Sequence, residues 1–111
     1  MGDRGNVKIV YEDGKSVYLY THWYGTDLPS IVAKALDRHV RWEDPSYLTR
    51  IIFSEMLDTA DALHEETGFG IAPYQVDIGR MVVVDMRKKT VKVDDDIAQS
   101  FESFITRWLE K

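Results

Sequence analysis

Two runs rich in Val, Ile and Tyr, residues 6 to 12 and 15 to 23, are separated by Asp13-Gly14. No other feature of the chain restricts its fold as much, because Asp-Gly between alternating apolar runs is the signature of a two-residue hairpin. Taking Asp13-Gly14 as the tight turn sets Glu12 opposite Lys15, Val10 opposite Val17, Lys8 opposite Leu19 and Asn6 opposite Thr21. This register lays "GDRGN" beside "THWYG", so that Asp3, Arg4 and Asn6 approach Thr21, His22 and Trp23. Strand alternation then points Val17, Leu19, Thr21 and Trp23 to one face and Tyr18, Tyr20, His22 and Tyr24 to the other.

Downstream, apolar residues at 28, 31, 32, 35 and 36 predict a helix over Leu28 to Val40, with Thr26 or Asp27 as N-cap and Pro29 in its first turn. Asp44-Pro45 starts a second helix, which is expected to reach Leu63 and, being broadly apolar, to lie centrally. Strands are expected at 69 to 75, 80 to 86 and 90 to 94, the last two joined by a turn at Arg87 to Lys89. Asp94 to Asp96 can cap a last helix running to Trp108 or Leu109, with Ile97, Phe101, Phe104, Ile105 and Trp108 on one face. The reading is one α+β domain over residues 1–111, of order ββααβββα, with a mainly antiparallel sheet packed by helices.

The 111 residues, 44% of them apolar, suffice for one core, and a chain of this size buries roughly two thirds of its unfolded surface. Little room is left for a deep cavity, so a ligand is expected in a groove or at a subunit interface, and a homo-oligomer is expected. The lack of cysteine removes disulfide frameworks and thiolate zinc sites and fits a reducing compartment, with the cytoplasm as the expected location. No stretch approaches the ~20 apolar residues that span a bilayer, so a soluble, unprocessed chain with no membrane partner is expected. A formal charge of −5 disfavours general nucleic-acid binding, and the basic run Arg87-Lys88-Lys89 reads as a solvated turn. A small anion held by one or two arginines is compatible with that balance.

Several residues are candidates for a site. His22 can act as a general base, a metal ligand or a hydrogen-bond donor to a ligand, since its ordinary pKa lies near neutrality; a strand-end histidine satisfied by backbone is the competing reading. His39 and His64 fall on separate predicted helices without metal-ligand spacing, so no metal and no cofactor are expected. Trp23 and Tyr24, just before Gly25, can stack on a planar ligand, an interaction worth ~1–3 kcal/mol per base in nucleic-acid complexes, or can pack into the core. Trp42, next to Arg41, reads as a plug at the inter-helix corner. Glu55 stands one turn beyond Ile51 and Ile52 on a buried flank and needs a partner, expected from Arg4, His22 or Tyr20; it is a structural ion pair or a catalytic carboxylate. In "TGFGI", Gly68 reads as the end of the second helix and Gly70 as a bulge, while Thr67 and Phe69 are ligand-binding candidates.

Taken together, "GDRGNV", "VYLYTHWYG", "LP" with "KAL" downstream, "RWEDPSYLTRIIFSEM" and "TGFGI" resemble a family of small bacterial, archaeal and phage proteins with no assigned activity. The resemblance runs from Gly2 to about Val93. It implies no reaction; it implies that these segments lie at strand ends and helix starts, which fits a binding surface.

Three functions are compatible with these residues. The first is a non-enzymatic small-ligand binder, nucleotide-binding or nucleotide-sequestering, that uses Asp3, Arg4, Asn6, Thr21, His22, Trp23, Tyr24, Thr67 and Phe69. The second is an interaction module whose partner covers Tyr18, Tyr20 and Tyr24. The third is a small hydrolase or isomerase with His22 as general base, oriented by Asp3 or Glu55.

Overall fold

The computed structural model describes residues 2–59 and 68–109. Six strands form one sheet: β1 (Gly5–Val10), β2 (Ser16–Thr21), β3 (Phe69–Ala72), β4 (Arg80–Asp85), β5 (Thr90–Val93) and β6 (Gln99–Ser100), in the spatial order β3-β2-β1-β4-β5-β6. Three α-helices, α1 (Leu28–Leu36), α2 (Pro45–Thr59) and α3 (Phe101–Leu109), complete the described α+β domain in the expected order, with a 3-10 turn at Gly25–Asp27 added before α1 and the two-residue β6 before α3. All strand pairs are antiparallel except the central one, β1 with β4.

The hairpin register differs from the two-residue expectation by one. Gly5 pairs with Thr21, Val7 with Leu19 and Ile9 with Val17. The turn holds three residues: Tyr11 N–H donates to Lys15 O (2.8 Å), Gly14 N–H donates to Tyr11 O (2.9 Å), and Gly14 takes φ +86°. That is a type I turn closed by a left-handed glycine. The one-residue shift decides the faces, because slipping the register would exchange them. Val7, Ile9 and Leu19 now share the buried face with Val82, Val84 and Val91, whereas the two-residue turn would have set Lys8 against Leu19.

The helices cover this one face. α1, "LPSIVAKAL", buries Leu28, Pro29, Ile31, Val32, Ala33, Ala35 and Leu36, and packs against both α2 and α3. It, not α2, is the central helix, since a helix apolar nearly all round must be covered all round. α2 buries the stripe Leu48, Ile51, Ile52, Glu55 and Met56; the expected extension to Leu63 lies outside the described residues. α1 stops four residues short of Val40: His39 turns left-handed (φ 55°), its N–H donates to Leu36 O (2.9 Å), and Trp42 Nε1 donates to the same carbonyl (3.0 Å). Trp42 meets Phe101 edge-on at 5.1 Å and so plugs the corner as expected.

The last helix begins later than the aspartates suggested. Ser100 Oγ accepts the Ser103 N–H (3.1 Å) as its cap, and Phe101, Phe104 and Ile105 form its buried face. Ile97 precedes the helix and is 82% exposed. Asp94 and Asp96 serve other ends: Asp94 Oδ1 accepts the Met81 N–H (2.9 Å), and Asp96 pairs with Arg107 (3.0 Å). No helix among the described residues is long and apolar enough to cross a membrane.

Candidate functional site

Where β1 and β4 begin side by side, the amino-terminal segment is threaded between two glycines. Asp3 N–H donates to His22 O (2.8 Å), Gly25 N–H to Asp3 O (2.7 Å) and Arg80 N–H to Arg4 O (3.0 Å). A Cβ at Gly25 or Gly79 would lie 2.4 Å or 2.2 Å from Arg4 O, so neither position has space for a side chain. The expected neighbourhood of "GDRGN" and "THWYG" is therefore present, held by Gly5 against Thr21.

This threading opens a crevice of about 430 Å³ bordered by Gly2, Asp3, Arg4, Thr26, Gly79 and Arg80. Its two guanidiniums are lightly held: Nε of Arg4 lies 3.4 Å from Asp77 and Nε of Arg80 lies 3.4 Å from Asp94. Among the described residues their terminal nitrogens have no acceptor, which leaves the planar forks that suit a phosphate or carboxylate. Among the described residues Asp3 adds no ion pair here; its Oδ2 accepts the Thr26 N–H (2.9 Å) at the entrance to α1. Ile78 and Asp94 close the remaining rim.

Four of the remaining candidates hold the structure. Asn6 is fully buried, and both ends of its amide bind one residue: Nδ2 donates to Val76 O (2.9 Å) and Val76 N–H donates to Oδ1 (3.2 Å). That anchors the loop after β3 and removes Asn6 as a ligand contact. Thr21 is fully buried too, and its Oγ1 accepts the N–H groups of Trp23 (3.4 Å) and Tyr24 (3.1 Å), which bends the chain out of the strand. Strand alternation fails at that bend. Tyr24 swings towards the helices and stacks on Phe69 at 5.9 Å, while Phe69 also meets Phe53 edge-on. Phe69 is thus a partly buried ring packed against the core, Gly70 pairs regularly with Tyr20 with no bulge, and Thr67 lies outside the described residues.

His22 and Trp23 form a second group next to the crevice. The His22 ring crosses Trp23 edge-on at 4.3 Å and packs so closely on Gly2 that a Cβ there would lie 2.8 Å from Nε2. Gly68, at φ +78°, brings its carbonyl to the His22 N–H (2.9 Å). The partner of His22 Nδ1 is the Tyr20 hydroxyl at 3.0 Å, not a carboxylate. Trp23 remains 52% exposed.

Glu55, expected to meet Arg4, His22 or Tyr20, is instead held by α1 and the turn that follows it: Arg38 donates to Oε1 and Lys34 Nζ lies 3.9 Å from Oε2. It therefore joins two helices rather than serving His22. Arg80, Gly79 and Thr26 were missed in the sequence: the parallel pairing of β1 with β4 brings Gly79 and Arg80 to Arg4, and Asp3, which accepts the Gly25 and Thr26 N–H groups, brings Thr26. Among the described residues no three His, Asp or Glu side chains gather at a metal-sized site. Comparison with models of known families, with curated proteins and with solved structures finds no match.

Proposed function

We propose that this chain is a non-enzymatic binder of a small molecule carrying an anionic group, with nucleotides as the ligand class. The observation that carries the reading is the pair Arg4 and Arg80 on one crevice, each with its Nε 3.4 Å from a carboxylate. Gly2 borders that crevice and touches His22, which touches the half-exposed Trp23, so an indole face for a planar base lies two contacts from the anion site. The phenol on His22 Nδ1 favours binding over acid–base chemistry, since among the described residues no carboxylate orients the ring. Cytoplasmic placement belongs to the same proposal and rests on the cysteine-free composition. So does the resemblance to small prokaryotic and phage proteins, carried in part by a segment whose Gly2, Asp3 and Arg4 line the crevice here.

Thermal unfolding against a panel of nucleoside mono-, di- and triphosphates tests it. A true ligand at a hundred times its Kd stabilises by ~2.7 kcal/mol. The double variant Arg4→Gln/Arg80→Gln should abolish the shift, and Trp23→Ala should weaken nucleotides more than ribose phosphate. Absence of any shift at millimolar ligand would sink the proposal.

A second reading, self-association, is favoured by one observation: Tyr18 and Tyr20 are half-buried on the sheet face opposite the helices. Sedimentation velocity should show a dimer that Tyr18→Ser dissociates; a monomer at every concentration excludes it.

A further inference from the structure

Five of the seven arginines in the chain reach a carboxylate: Arg4 meets Asp77, Arg38 meets Glu55, Arg80 meets Asp94, Arg87 meets Asp85 and Arg107 meets Asp96. The other two share a tyrosine. The guanidinium carbons of Arg41 and Arg50 lie 4.7 Å and 5.0 Å from the centroid of the Tyr47 ring. In a chain with 19 acidic and 14 basic residues, cations are scarce and acids plentiful. Two guanidiniums gathered on one ring, with no carboxylate in reach among the described residues, are therefore a local reversal of the molecule's charge.

The nearby acids are committed elsewhere. Asp44 caps α2, its Oδ1 accepting the Tyr47 N–H (3.2 Å), and Glu43 lies 3.9 Å from Lys89 Nζ. Arg41 is held in left-handed backbone (φ 62°), and its carbonyl accepts the Asp44 N–H (3.1 Å), which fixes where its side chain starts. Arg50 uses one Nη to donate to Ser54 Oγ (3.3 Å). Tyr47 is 41% exposed, and its hydroxyl has no partner among the described residues.

We propose that Arg41, Tyr47 and Arg50 form a binding site for a dianionic oxyanion, of the phosphate monoester class. An aromatic face holds a guanidinium by its π-surface and leaves the in-plane N–H donors free for an anion. Two such forks supply twice the charge that a monocarboxylate can neutralise, whereas a phosphate monoester carries about −1.5 to −2 at neutral pH. The phenol adds a further donor. The site is separate from the crevice at Arg4 and Arg80 and does not depend on the function proposed for it.

The test is arginine side-chain NMR of the full chain, titrated at constant ionic strength with inorganic phosphate, phenyl phosphate and acetate. Saturable shifts of the Arg41 and Arg50 Nε–Hε signals are expected with both phosphates at low millimolar concentration, with acetate weaker. Arg41→Gln and Arg50→Gln should each weaken binding about tenfold, and Arg41→Lys, which keeps the charge but not the fork, by less. The double variant Arg4→Gln/Arg80→Gln should keep the response; its loss there would assign the binding to the crevice and refute this site alone. Unsaturable shifts at all seven arginines, unchanged affinity in the Gln variants, or acetate binding equal to phosphate each overturn the proposal. So does inorganic phosphate binding without phenyl phosphate.

Discussion

Glu55 and Asn6 show how a single polar residue is stabilised inside this fold. Glu55 is 4% exposed, but the side chains of its partners Arg38 and Lys34 are 50% and 57% exposed. Breaking a fully buried ion pair costs ~3–5 kcal/mol because a charge is stranded; here the cations return to water. Glu55→Ala should therefore cost only about 1–2 kcal/mol in urea unfolding, mostly lost packing and hydrogen bonding. Asn6→Ala is the more damaging change. It strands both the N–H and the C=O of Val76, and about 2–3 kcal/mol of destabilisation is expected. Limited proteolysis should then cut the 73–79 loop in the variant before the rest of the domain. Both residues were visible in the sequence as polar groups at places of interest. Their partners were not, because Arg38 and Val76 come from elements whose placement no local pattern encodes.

Among the elements, the first hairpin depends on how one glycine closes its loop. A Cβ at Gly14 meets nothing within 4 Å, so Gly14→Ala changes only the cost of φ +86°. About 1 kcal/mol of destabilisation is expected, seen as a lower denaturation midpoint with an unchanged slope. Asp13-Gly14 correctly announced a hairpin, but the same dipeptide serves two-residue and three-residue loops. What separates them is which register buries Val7, Ile9 and Leu19 together, and that requires the helices. The bend at Thr21 is of the same kind: nothing in "THWYG" says that the threonine hydroxyl, rather than a cross-strand partner, will take the N–H groups of Trp23 and Tyr24. Elements framed by strong local punctuation were read closely. The turn at Arg87 to Lys89 joins β4 and β5 as expected, and Pro29 stands in the first turn of α1.

At the scale of the whole molecule, exposed ion pairs tie α3 to the remainder and make its docking sensitive to pH. Asp96 is held below the usual carboxylate range by the Ile97 N–H and by Arg107, and Asp85 by its hydrogen bond from Arg87. Groups with lowered pKa stabilise above the ordinary value of 3.8 and lose that contribution as pH falls through the folded value. His39 moves the other way: the Asp37 carbonyl and the Glu102 carboxylate raise it above 6.5. Its contribution is complete below 6.5 and is lost as pH rises through the raised value. Denaturant unfolding across pH should thus show a loss on the acid side and a shallower one above neutrality. Glu102→Gln should flatten the alkaline limb, and Asp96→Asn the acid limb; limbs unchanged in these variants would refute the assignment.

The sequence by itself determined which segments are strands and helices, their order, and that the amino terminus runs beside the end of β2, because these follow from apolar periodicity and from turn residues a few positions apart. Tertiary structure alone decided the register of the hairpin, the central place of α1, the partners of Glu55 and Asn6, and the meeting of Arg4 with Arg80. Those depend on which buried faces close on one another, and the parallel pairing of β1 with β4 joins residues that lie more than seventy positions apart. Chain-local signals do not reach across that separation; burial in a shared core does.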